Sequence, residues 1–378
     1  MAPPASGTRA GGRLRTHGPV PSVQPRHVLT VEESAEGKMK IVALLYPEEP
    51  HARTDSGVLA SAERVLDLRD WLEGEGHTVV GTTDTGEGLD EELADAEVLI
   101  TTPFWPAYMD DARFAKAPQL KLVINAGIGS DHVDRDAAKR HGASVAEVTG
   151  SNVVSVAEHN VMQILLLVRD FLPGHRQVEE GRWDVADAVR SSHDLEGKTV
   201  GLVGLGAIGG RTALRLKGFD VRMLYYAPHR RSPAEEETLG VKYARLDDLV
   251  AESDVVCLAL PLSSESQSLF GRERIAAMKP GSWLVNTARG ALVDTDALVE
   301  ALESGHLAGY AGDTWYPQPA PVDHPWRTMP RQAMTIHTSG MSLEAQQRIA
   351  SGVREILGAY LAGGPLPEDY LLTDGSGG

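Results

Sequence analysis

Lys198-Thr-Val-Gly-Leu-Val-Gly-Leu-Gly-Ala-Ile-Gly-Gly210 is the stretch that decides how this chain is read. An apolar run of strand type feeds directly into Gly204, Gly206 and Gly209, spaced G-x-G-x-x-G, and 211–217 continue in helix-forming residues. The first glycine permits a tight turn. The second lets a pyrophosphate approach the backbone, and the third lets the helix pack closely on the strand. The helix N-terminus, opening at Ala207 and Ile208, then faces the anion. A second apolar run at 221–226 arrives at the distance expected of a βαβ unit. The pattern predicts a dinucleotide-binding fold unit.

Outward from this unit the same alternation repeats. Strands are expected at 40–46, 78–80, 96–101 and 120–125, and a helix over 60–75 with Gly76 beyond its end. Ser155 and Glu158 fit a capping box opening a long helix to about Phe171, apolar nearly all round and so in need of cover on more than one side. Beyond the glycine motif, strands are expected at 255–260, 282–286, 307–312 and 334–336. Asp294 should cap one helix, and another should cover 343–360. Strands separated by helices imply mostly parallel sheets, and 378 residues favour two domains.

Composition excludes several functions. With 36 Lys and Arg against 53 Asp and Glu, the net charge of −17 repels phosphate backbones, so nucleic acid is not an expected partner. One cysteine, Cys257 in an apolar strand, supports neither a disulfide framework nor a cysteine metal cluster, and no metal site is expected. No apolar run has the ~20 residues needed to span a bilayer, and no apolar signal core precedes Met39. The expected location is cytoplasmic. Residues 1–38, rich in Pro, Gly, Ser and Arg, read as a disordered extension, with Met39 a candidate initiator.

Four loops that follow expected strands carry unusual side chains. They hold Pro103-Phe104, Asn152, Arg289, and the stretch from Asp313 to Gly340 that includes Gln318 and His337. Such loops are where ligand sites of doubly wound sheets collect. Taken singly, Arg289 can be a solvated arginine, His337 a satisfied polar residue, Asn152 a turn residue and Ile128 core. Together with Pro103-Phe-Trp-Pro-Ala-Tyr-Met109, Asn125-Ala-Gly-Ile-Gly-Ser-Asp-His-Val-Asp134, Ser155-Val-Ala-Glu-His159, Asn286-Thr-Ala-Arg-Gly290, Ala308-Gly-Tyr-Ala-Gly-Asp313 and Gln318-Pro-Ala-Pro-Val-Asp-His-Pro-Trp-Arg-Thr-Met-Pro330, they resemble one family closely. That family is the metal-free, nicotinamide-dependent formate dehydrogenases of the D-2-hydroxyacid dehydrogenase superfamily.

The resemblance implies an α/β protein of two domains with parallel sheets. A Rossmann-type cofactor domain (153–338) would be inserted into a smaller, flavodoxin-like substrate domain (39–152 and 339–378). It also implies a homodimer. Arg289 would grip formate, with Asn152 and the backbone at Ile128 as further contacts, while Pro103 and Phe104 form an apolar wall. His337 paired with Gln318 would border formate and nicotinamide. Thr287, Asp313, Ser339 and Gly340 would contact the cofactor, Asp313 near its nicotinamide end, and Pro261, Leu262 and Ser263 would line its crevice. Gln318 carries a physical argument of its own. Superfamily relatives that oxidise hydroxyacids pair the histidine with a carboxylate, which raises its pKa so that it can take the hydroxyl proton. Formate has no hydroxyl, so a neutral glutamine suffices.

The sequence also departs from the family. NAD-specific members carry an acidic residue where Ala227 stands, and His229, Arg230 and Arg231 follow. A missing carboxylate and three basic groups favour a 2′-phosphate, so NADP is the expected preferred cofactor and NAD the weaker one. Ala207 replaces an arginine usual beside the pyrophosphate, and Gly150 and Ser151 replace bulkier or thiol-bearing residues. The chain stops soon after Leu372, shorter than the family's long-tailed members, so a C-terminal lid contact is expected to be absent. A D-2-hydroxyacid dehydrogenase or glyoxylate reductase, and a dinucleotide-sensing, corepressor-like protein, are the alternatives.

Overall fold

The computed structural model describes residues 37–48 and 57–375; the expected extension at 1–38 lies almost wholly outside them. Among the described residues thirteen strands form two sheets. The first contains β1 (Lys40–Leu44), β2 (Thr78–Thr82), β3 (Val98–Thr101), β4 (Leu122–Asn125), β5 (Ser144–Glu147) and, from the far end of the chain, β13 (Leu371–Thr373). The second contains β6 (Thr199–Val203), β7 (Arg222–Tyr226), β8 (Val241–Tyr243), β9 (Val255–Leu258), β10 (Ser282–Asn286), β11 (Leu307–Gly312) and β12 (Gln332–Met334). Their orders are β13-β5-β4-β3-β1-β2 and β12-β11-β10-β9-β6-β7-β8. Every pairing is parallel except β13 on β5. β3, β4, β9 and β10 are buried along their whole length, which is why they read as unbroken apolar runs and not as alternating ones. Cys257 lies in β9 with no exposed surface. Among the described residues no helix is long and apolar enough to cross a membrane.

Two helices bind distant parts of the chain together. The C-terminal helix (Leu343–Leu361) starts at Ser342, whose side chain accepts from the Ala345 N–H. It sends Ile349, Val353, Ile356 and Leu357 into the core of the first sheet beside Ile41, Ile100 and Ile124. The central helix (Val153–Val168) packs on the second sheet through Ile164, Leu167 and Val168.

Several expectations fail for a common reason, that long-range partners outcompete local ones. Over 60–75 the helix is broken, because Val65, Leu66 and Asp67 have φ of 47°, 58° and 54°. Burial of Val65 and Leu66 against the core holds this left-handed turn, and only Arg69–Gly74 is α-helical. The capping box does not form. The central helix opens after Asn152 with no side-chain cap; Ser155 Oγ meets Ser342 Oγ at 2.9 Å and Glu158 pairs with Arg215. That helix stops at Val168, and Asp170 turns left-handed (φ 49°) before a separate helix, Phe171–Glu179. It is also not apolar all round, since Asn160 and Gln163 are buried on its inner face. The strand expected at 334–336 is shifted to Gln332–Met334.

The second sheet changes direction between β6 and β9, and the glycine motif sits at that switch point, where such sheets bind ligands. Gly204 has φ +103°, and a Cβ there would lie 2.3 Å from the Ala259 carbonyl oxygen. A Cβ on Gly209 would lie 2.3 Å from the carbonyl oxygen of Gly204, whereas one on Gly206 would meet nothing within 4 Å. The outer glycines therefore serve packing, and the middle one faces open space. Gly209→Ala should cost on the order of 1–3 kcal/mol of stability by overpacking. Gly206→Ala should leave Tm unchanged and weaken dinucleotide binding. Thermal unfolding with and without NAD separates the two; equal loss of Tm in both variants would contradict this division.

Candidate active site

The carboxyl ends of β6, β9 and β10 open into a cleft of about 850 Å³. One wall is the glycine turn (Gly206, Ala207, Ile208) with Pro261, Leu262 and Ser263. Thr287 and Arg289 stand beside them, and the opposite side is formed by Phe104, Ile128, Asn152, His337, Ser339 and Gly340. Fourteen of the residues singled out in the sequence thus line one cavity. Pro103 and Gln318 lie just behind it, around a smaller cavity of about 110 Å³ that shares Arg289 and His337. Gly204 and Gly209 shape the turn without lining the cleft.

Asp313 departs from its expected position. Its carboxylate has no exposed surface and does not reach the cleft wall. One oxygen accepts from Thr335 Oγ1 at 2.5 Å and from the Thr338 N–H at 2.8 Å, and the other from the Ser339 N–H at 2.8 Å. Burial pushes its carboxyl up, but His337 and these hydrogen bonds outweigh burial and hold it below the usual range. Asp313 is the floor beneath the histidine loop. From the far end of the chain, Leu372 on β13 also lines the cleft. The antiparallel pairing of β13 with β5 carries it there.

His337 is left-handed (φ 62°) and buried. Its ring meets Phe104 edge-on, with centroids 5.1 Å apart, and its Nδ1 lies 2.9 Å from Gln318 Oε1. The Gln318 amide nitrogen donates to the carbonyls of Pro103 (3.0 Å) and Phe104 (3.4 Å). Carbonyls only accept, so the amide can turn only its oxygen to the histidine. His337 must then carry its proton on Nδ1, leaving Nε2 as an acceptor. Burial is the main influence on this ring and pushes its pKa down to about 4, against the opposing pull of Asp313.

Arg289 is held by Asp131, whose Oδ1 accepts from Nε at 2.6 Å. Its Nη1 donates to the Ala288 carbonyl at 2.8 Å. Gly129 (φ +99°) makes room for its tip, since a Cβ there would lie 1.6 Å from Nη2. Glu147 underpins the same loop, accepting from the Gly129 N–H at 2.8 Å, and burial raises its pKa. Asn152 is buried against Gly340, and its Oδ1 lacks a hydrogen-bond partner. The open face of Gly206 fits the close approach of a bound dinucleotide.

At the end of β7, Ala227 is half-buried and presents no carboxylate. Arg230 is occupied by Glu236, through hydrogen bonds of 2.8 and 3.0 Å. Arg231 donates to the carbonyl of Leu205, inside the glycine turn, at 2.7 Å. His229 is exposed. Of the three basic residues, Arg231 is the one fastened to the cofactor loop.

Sequence reading assigned no role to Asp131, Glu147, Asn160, Thr335 or His159, whose Nε2 lies 3.3 Å from Thr335 Oγ1. Asp131 and His159 stood inside the quoted motifs, and Asn160 was signalled by an amide on an otherwise apolar helix. Glu147 and Thr335 carried no signal. Among the described residues no cluster of three His, Cys, Asp or Glu side chains could hold a metal ion.

Residues 161–339 match the family described as D-isomer specific 2-hydroxyacid dehydrogenase, NAD binding domain. The chain is 51% identical over 351 residues to a formate dehydrogenase of Chaetomium thermophilum, covering 89% of this chain and 95% of that one. It is 48% identical over 349 residues to a mitochondrial formate dehydrogenase of Solanum tuberosum, covering 91% of each. Among solved structures, the NAD-dependent formate dehydrogenase of Staphylococcus aureus in complex with NAD superposes with a TM-score of 0.83 at 47% identity, over 89% of this chain and 99% of that one. With this identity over nearly the whole length, and the cleft built as described, the chain belongs to the NAD-dependent formate dehydrogenases of the D-2-hydroxyacid dehydrogenase superfamily.

Proposed function

We propose that the protein oxidises formate to carbon dioxide by direct hydride transfer, and that it prefers NADP over NAD. The observation that carries the first part is the Gln318–His337 pair. In formate oxidation the C–H bond breaks, hydride leaves with its electron pair and a second C=O bond forms. No proton has to move. A histidine kept neutral by burial and hydrogen-bonded to an uncharged amide suits this step and handicaps oxidation of a hydroxyacid, which needs a base. Nicotinamide, when bound, supplies the carbon that accepts the hydride.

Arg289 binds the formate carboxylate, with Asn152 and the backbone at Ile128 as further contacts. Formate's charge fades as hydride departs, so Arg289 acts mainly by positioning. Pro103 and Phe104 exclude water from the reacting carbon. Gly206, Ala207, Ile208, Thr287, Ser339, Gly340 and 261–263 hold the dinucleotide, while Asp313 supports it from beneath. The NADP preference rests on Ala227 and on Arg231, which lies against the glycine turn; Arg230 would have to leave Glu236 to contribute. The protein acts as a homodimer. Phe171, Val178, Val185, Val189 and Trp183, the last 89% exposed, present an apolar surface next to a groove of about 600 Å³ lined in part by Leu172, Trp283 and Met329. A second copy would cover both.

Arg289→Ala should lower kcat/KM for formate by about 100-fold or more, the value of one or two charge-assisted contacts, while cofactor affinity is nearly unchanged. The specificity ratio kcat/KM for NADP over NAD should exceed one and fall about tenfold in Arg231→Ala; a wild-type ratio below one ends the NADP proposal. Turnover should be flat across neutral pH, and Gln318→Glu, which sets a carboxylate beside His337, should introduce a titrating limb. Stability should follow a different profile. His132 and His337 both have folded pKa values lowered from 6.5 to about 4, burial being the main cause. Between those values the unfolded chain binds more protons, so stability present above 6.5 is lost as pH falls toward 4. A Tm that does not drop on acidification over that window, or fails to drop less in His132→Asn, would contradict it. Trp183→Asp should give monomers in sedimentation velocity.

A further inference from the structure

The central helix carries a fully buried amide, Asn160, whose oxygen and nitrogen each have a partner. Thr287 Oγ1 donates to Asn160 Oδ1 at 2.7 Å, Asn160 Nδ2 donates to Thr212 Oγ1 at 3.1 Å, and Thr212 Oγ1 donates to the Ile208 carbonyl at 3.0 Å. Asn160 and Thr212 have no exposed surface and Thr287 very little. Every hydrogen bond in the relay runs in one direction, so each member fixes the orientation of the next, and burial strengthens each bond.

The two ends of this relay are neighbouring parts of one wall of the cleft. Ile208 belongs to the first turn of the helix Ala207–Leu216, beside the glycine turn. Thr287 stands two residues before Arg289, in a loop that Asn286 frames. The Asn286 amide donates to the Arg289 carbonyl at 2.8 Å and accepts from the Ala288 N–H at 3.1 Å. That frame is pinned from outside at Thr287, by Asn160. We propose that Asn160, acting through Thr212 and Thr287, is a positioning residue that fixes the spacing between the dinucleotide loop and the Arg289 loop, so that seating the cofactor also sets the arginine for the substrate carboxylate. The relay touches neither ligand directly except at its ends. An apolar residue at 160 would pack equally well on the sheet, but it would leave the two loops independent. The proposal rests on the formate reading for the identity of the carboxylate, and on geometry alone for the link.

Thr212 is the site at which to test it. Thr212→Val keeps the shape and deletes the hydroxyl, and Thr212→Ser restores it. In Thr212→Val, KM for formate at saturating cofactor should rise about 3- to 10-fold with kcat changed by less than about twofold, the span of one buried hydrogen bond. The NADP concentration giving half-maximal thermal stabilisation should rise by a similar factor, a readout that needs no turnover. Thr212→Ser should return both toward wild type. Asn160→Leu should reproduce the Thr212→Val effects, and the double variant should be no worse than either alone. Should Asn160→Leu fail to fold, the Thr212 pair still decides. A lowered Tm in Thr212→Val with formate KM and cofactor titration both unchanged would reduce the relay to packing and overturn the proposal. A wild-type protein that binds NADP but does not turn over formate would refute the formate reading, and the cofactor titration would still test the link.

Discussion

A carboxylate with no exposed surface holds up the catalytic side of this molecule. Asp313 directly follows β11 and would be costly to bury uncompensated, so the chain folds donors around it: a threonine hydroxyl and two consecutive backbone N–H groups. Satisfying that charge bends 335–339 over it, and the bend forces His337 into the left-handed region that non-glycine residues avoid. The strained histidine is then fixed in rotation by its edge-on contact with Phe104 and by Gln318 at Nδ1. What looks like a site built from the histidine outward is built from the aspartate upward.

A second constraint acts on the opposite wall. Arg289 is hydrogen-bonded through Nε to Asp131 and lies so close to Gly129 that no side chain fits there. Burial pushes the Asp131 carboxyl up, and the guanidinium outweighs it to keep the carboxylate ionised. The long arginine chain thereby loses its freedom in the free protein, which would remove an entropic cost if it binds the substrate as proposed.

Much of this was legible in sequence because it rests on local rules. Glycine spacing, apolar runs for doubly covered strands and Asp294 as an N-cap accepting from the Ala297 N–H are decided within a few residues. The misreadings share one cause. Val65 and Leu66 turn left-handed because the core rewards their burial, and Ser155 deserts a capping box for Ser342, which lies 187 positions away. Asp313 was recognised as belonging to the site but set on its surface, since no local pattern says whether a carboxylate faces a ligand or a backbone. Leu372 reaches the cleft only because β13 pairs antiparallel with β5, a connection that periodicity cannot announce.

The solitary thiol has a practical side. Cys257 is sealed within β9, and burial pushes its pKa up to about 12, so it offers oxidants and electrophiles no thiolate. Maleimide reagents should therefore leave the native chain unlabelled. A cysteine introduced on an exposed helix would become a unique handle for a fluorophore, an electrode or a solid support, with no background to subtract.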